Sequence, residues 1–140
     1  DEMLDAAICL FLDKQQFFAA LNLAGVAEEL YGKYIRLSGG RDIQQELVEA
    51  AGKIGPSRGS PKLSTKEWKK IAAHFKNAIK HFDSESDRFV EIEEFEEARS
   101  MIGDALSNHT KLDRKVTPTV QRYYDFAHAW SKERRNSVEQ

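Results

Sequence analysis

At 140 residues the chain has the length of one domain, spanning 1–140, and can bury a core without disulfides or structural metals. Hydrophobic residues at 41% and charged residues at 31% fit a well-solvated helical domain and exclude a disordered chain. A net charge of -2 excludes a general basic field for nucleic acid, so any phosphate contact must be local. The lone Cys9 excludes an internal disulfide and suits a reducing cytoplasm. No apolar run reaches transmembrane length and no signal peptide opens the sequence, so a cytoplasmic protein without a membrane partner is expected.

In chain order, Leu4, Ile8, Phe11 and Leu12 recur at helical spacing within 2–14. A second helix is predicted from about Gln16 to Leu37. Phe17, Leu21, Ala24, Tyr31 and Ile35 mark its buried side, helped by Phe18, Leu30 and Tyr34. Gly25 and Gly32 lie inside it, each costing helix stability by about 1 kcal/mol against alanine, so each is expected to admit a close neighbour. Ser38, Gly39 and Gly40 stop the helix. A shorter one follows over about Asp42 to Ala51, with Ile43, Leu47 and Ala50 inward. Residues 52–62 are dense in glycine, proline and serine and read as a loop.

The longest clean pattern begins at Ser64, with Glu67 three residues on as a capping box, and runs to Phe82. Trp68, Ile71, Ala72, Phe75, Ile79 and Phe82 form its apolar stripe. At about 100° per residue, His74, Asn77 and His81 fall within roughly 60° of one another on the opposite face, flanked by Lys76 and Lys80. A further helix is predicted over 91–107, with Ile92, Phe95, Ala98, Ile102, Ala105 and Leu106 inward. Residues 108–116 read as a polar, mostly basic link. Thr117 and Pro118 then open a last helix whose stripe is Val120, Tyr123, Tyr124, Ala127 and Trp130, fraying over 131–136. The fold class predicted is all-α, an up-and-down bundle of five or six helices.

Two constellations could carry chemistry. Asp83, Glu85, Asp87, Glu91 and Glu94 overlay the ligand positions of an EF-hand calcium loop, with Val90 at its hydrophobic position. Arg88 stands where that loop needs glycine, and Glu85 is long for its position. The bland alternative is an acidic connection favouring the N-terminus of the next helix through its dipole.

The second is the Lys76–Asn77 pair followed by His81: a cation, an amide next to it and a histidine five residues after the cation. It resembles the signature of HEPN domains, an arginine and a polar residue followed by a histidine. Residues 20–33 and the order of helices are similar to small bacterial HEPN-like proteins, so the resemblance covers most of the chain. One departure is Lys76, where the family carries arginine; lysine keeps the charge and lacks the planar fork that grips phosphate bidentately. The resemblance implies a homodimeric helical bundle that binds RNA or a nucleotide. Its active members are metal-independent ribonucleases, with no cofactor.

Carried over, His81 would be the general acid or base, and Lys76 would stabilise charge on the phosphate. Asn77 would orient His81 or contact a phosphate oxygen. His74 would support them, and Glu28 or Glu29 would steer His81 from the second helix. The resemblance also raises a nucleotidyltransferase-like protein as a candidate partner. The competing readings are a non-catalytic dimerisation or protein-interaction module of the same fold, and a solvated polar face with no function.

Overall fold

In the computed structural model the described residues are 1–54, 63, 64, 66, 67 and 93–138, and the regular structure among them is entirely helical. Five helices can be numbered in order: α1 (Glu2–Leu12), α2 (Phe17–Leu37), α3 (Ile43–Ile54), α4 (Glu94–Lys111) and α5 (Pro118–Val138). The all-α bundle expected from periodicity is what forms. α2 and α4 pack most extensively on each other, α1 lies against α2, α4 and α5, and α3 rests on α4.

Side-chain pairings give the directions. Phe17 meets Phe95 near the starts of α2 and α4, and Asn108 meets Glu28 further along both. These two helices therefore run the same way. α5 runs with α1, since Thr117 bonds Asp5 and Arg122 bonds Asp13.

One end of the core is aromatic. The Phe11 ring lies 5.2 Å from Phe17, 5.2 Å from Phe95, 5.4 Å from Phe126 and 5.9 Å from Tyr123, mostly in the edge-on or tilted arrangements that ring quadrupoles favour. One residue of α1 thus ties three other helices together. Trp130 extends the cluster outward between the guanidinium groups of Arg99 and Arg134, at 4.1 and 4.8 Å from its ring. From Ala20 to Tyr31 and from Ala98 to Leu106 the rest of the core is aliphatic and built with small residues, which let α2 and α4 approach.

Several local expectations hold. Ser64 and Glu67 make the reciprocal capping box, Glu67 N–H donating to Ser64 Oγ at 3.3 Å and Ser64 N–H to Glu67 Oε2 at 2.7 Å. The rest of the predicted 64–82 helix lies outside the described residues. Thr117 caps α5, its Oγ1 accepting from Val120 N–H at 3.1 Å.

Others are corrected. Phe18, Leu30 and Tyr34 are exposed. α1 and α4 cover only the side of α2 that carries Leu21, Ala24, Glu28, Tyr31 and Ile35. In α3 the buried residue is Val48, while Leu47 and Ala50 face out. Gln44 bonds Asp104 on α4, which fixes the rotation of α3 and turns position 48, one turn on, inward. Tyr124 is partly exposed, and α5 stays helical through 131–136. Arg134 at that end reaches back to Glu96 at 3.3 Å. α4 continues to Lys111, so Asn108 and His109 are core positions of a helix and not part of a link.

The two glycines within α2 separate. At Gly32 an added Cβ would come within 3.1 Å of Asp42 Oδ2 and of Arg36 Nη1, and 3.4 Å of Asn108 Nδ2. At Gly25 it would touch nothing nearer than Met101 at 4.0 Å. Only Gly32 therefore fulfils the close-approach expectation. In urea denaturation Gly25→Ala should gain up to about 1 kcal/mol through helix propensity. Gly32→Ala should lose about 1–3 kcal/mol by pushing on a packed polar group. Equal effects at the two sites would contradict this difference.

Candidate functional site

His74, Lys76, Asn77 and His81 lie outside the described residues, as do Asp83, Glu85, Asp87, Arg88, Val90 and Glu91 of the acidic stretch. Glu94, the last of that series, opens α4. Of the supporting pair on α2, Glu28 is buried and Glu29 is exposed. Glu28 is bound up with Asn108, a residue that sequence reading assigned to a surface link.

Asn108 is the centre of a buried polar cluster. Its Oδ1 accepts from the backbone N–H of Ile43 at 2.8 Å. Its Nδ2 donates to the backbone carbonyl of Glu28 at 3.2 Å and, more weakly, to Glu28 Oε1 at 3.4 Å. One amide therefore joins three helices, α2, α3 and α4, and its orientation follows because Ile43 can offer only a donor. Asp42 sits beside it, 1% exposed, accepting from Gln45 N–H at 2.9 Å while Gln45 Oε1 accepts from Asp42 N–H at 3.2 Å. This is a capping box at the start of α3. The second oxygen of Asp42 pairs with Arg36. The space for both Asp42 and Asn108 is the missing side chain of Gly32.

At the next position, His109 is also buried, and its Nε2 has no hydrogen-bond partner among the described residues. Asp1 Oδ1 is its closest counter-charge at 3.8 Å. That same oxygen accepts from Tyr31 Oη at 3.0 Å and faces Arg114 at 3.5 Å. Burial, followed by the nearby Arg114 guanidinium, lowers the His109 pKa below its ordinary value, and the carboxylate of Asp5 offsets this only in part.

Chemically, the Asn108 cluster is a clamp. Both polar ends of its amide are engaged within the core and the residue is fully buried, out of reach of a substrate. Among the described residues no group of three or more His, Cys, Asp or Glu side chains could hold a metal ion. The signal that would have found Asn108 and His109 was present. Ala98, Met101, Ala105 and Asn108, and beside them Ala98, Ile102, Ala105 and His109, continue one helical stripe at three- and four-residue steps. Their polarity hid it.

Comparison of the chain with protein-family models, with curated proteins and with solved structures gives no match. Among the described residues no helix is long and apolar enough to cross a membrane.

The buried histidine yields a sign for pH dependence. Its folded pKa is depressed, so the unfolded chain takes up the proton first as pH falls. Stability is full above the ordinary histidine range and declines on acidification through it. His109→Gln should flatten the decline between pH 7 and 5 by up to one proton, about 1.4 kcal/mol per pH unit. Urea midpoints across that range measure it, and an unchanged slope in the variant would contradict the assignment.

Proposed function

We propose that this chain is a HEPN-like helical domain that binds RNA through Lys76, Asn77 and His81 of the 64–82 segment. The observation that carries the reading is the sequence constellation itself: a cation, an adjacent amide and a histidine five residues after the cation, with Asn77 and His81 at helical spacing opposite a continuous apolar stripe. The all-α bundle agrees with that fold expectation. The overall charge makes the contact local, so binding depends on these few side chains and weakens with salt.

Cleavage is the stronger form of the same reading. A 2′-hydroxyl would attack the neighbouring phosphate, His81 would move the proton, and Lys76 would neutralise charge on the non-bridging oxygens. Lysine at this position offers a point charge in place of a bidentate fork, which favours binding over catalysis. Purified protein in EDTA should bind single-stranded RNA, and Lys76→Ala with His81→Ala should weaken binding by about tenfold or more while leaving the melting temperature nearly unchanged. Loss of cleavage in His81→Ala alone would establish the catalytic form. RNA affinity that is absent, or unchanged in the double variant, would overturn the proposal.

A second reading, an interaction module without catalysis, is favoured by a specific feature of α2. Leu30, Tyr34 and Leu37 share one exposed face at steps of four and three, with Leu37 75% and Tyr34 58% exposed. Such a stripe on a helix surface is the kind that a partner helix covers. Under this reading Tyr34→Glu with Leu37→Glu should shift the sedimentation coefficient of a homodimer to that of the monomer. A single species of unchanged size in both proteins would exclude self-association through α2.

A further inference from the structure

α3 differs from the other helices in how it is held. It buries one side chain, Val48, whereas α1 buries four and α4 buries six. Its exposed apolar residues, Leu47 and Ile54, contribute little to the core. Among the described residues its side-chain ties are mostly polar. Asn108 Oδ1 takes the Ile43 N–H at 2.8 Å, Gln44 reaches Asp104 at 3.2 Å, and Lys111 spans to Glu46 at 2.6 Å and to the Arg41 carbonyl at 3.0 Å. Arg36 pairs with Asp42 just before the helix.

The tie to α2 is a tight turn in which Gly39 adopts φ +78° and Gly40 N–H bonds the Ile35 carbonyl at 2.9 Å. A Cβ on Gly40 would meet Ile35 at 2.9 Å. The turn therefore ends α2 rigidly, and the exposed Arg41 beyond it is held by surface pairs, its carbonyl to Lys111 and its guanidinium to Glu49.

These facts set the energies apart. Apolar burial resists opening in proportion to area, and α3 has little of it. Partly exposed ion pairs are each worth little and are screened by salt. We infer that α3 is a latched helix that swings out as a unit, independently of the α1–α2–α4–α5 core, with Lys111, Asp104 and Asn108 on α4 as its catch. In the closed position it buries Asp42 and supplies the N–H that satisfies Asn108. Opening lets water reach the Glu28–Asn108 pair, turning a sealed carboxylate and amide into exposed groups. The device is independent of the RNA reading.

Hydrogen exchange read by mass spectrometry tests it directly on the full chain. At low salt, amides of 45–54 should exchange about tenfold or more faster than those of 24–35 and 101–109. Raising salt to about 0.5 M should widen that gap. Lys111→Ala, and separately Gln44→Ala, should speed exchange in 45–54 alone, since both side chains lie at the margin of the core. Protection of α3 equal to that of α2 and α4 would overturn the inference. So would a uniform acceleration of all helices in either variant, or a gap that ignores salt.

Discussion

The arrangement of the described helices depends on one side-chain amide. Asn108 stands where α2, α3 and α4 converge, and it bonds the backbone of two of them at once. A buried amide is costly unless both ends are paired, so this contact is demanding as well as stabilising: it fits only when the three helices hold one mutual position. The aromatic cluster around Phe11 fixes the opposite end of the parallel α2–α4 pair without such directionality. An apolar end tolerates sliding and a hydrogen-bonded end does not. Together they set both the depth and the register of the bundle.

Gly32 is the enabling residue of the polar end. The cluster needs Asp42, Arg36 and Asn108 to press against the α2 backbone, and a methyl group there would collide with them. Asp42 uses one oxygen to start α3 and the other to hold Arg36, so the turn after α2 and the start of α3 are specified by the same carboxylate. Among the described residues α3 adds to these contacts one buried side chain, Val48. A helix held by hydrogen bonds and ion pairs responds to salt and water access, where one held by leucine packing does not.

Much of the fold was legible in the sequence. Helical spacing placed the starts of α1 and α2 and most of their buried faces, and Thr117 before Pro118 marked the start of α5. The failures share a cause. α2 is apolar on more than one face, and periodicity alone could not say which face its neighbours take, so Phe18, Leu30 and Tyr34 were read as core. In α3 a polar residue, Gln44, decides the rotation, and hydrophobic pattern is blind to that. Asn108 and His109 were read as a link because polar residues at core positions imitate a loop in any pattern-based reading. Of the candidate site, Glu28 proved to be a clamped core carboxylate and Glu29 an exposed one, while the constellation from His74 to His81 rests on sequence alone.

The central claim is that the Asn108 amide holds three helices in register. Its most direct test is the unfolding free energy of Asn108→Leu, which keeps side-chain volume and removes both hydrogen-bonding ends. That change orphans the Ile43 N–H, at about 1–3 kcal/mol for a buried group, and removes one further bond from the Glu28 carbonyl, worth about 0.5–1.5 kcal/mol. A loss of about 1.5–4.5 kcal/mol is therefore expected, where a filled apolar core position would gain stability. A stability within about 0.5 kcal/mol of the unaltered protein, or above it, would contradict the account.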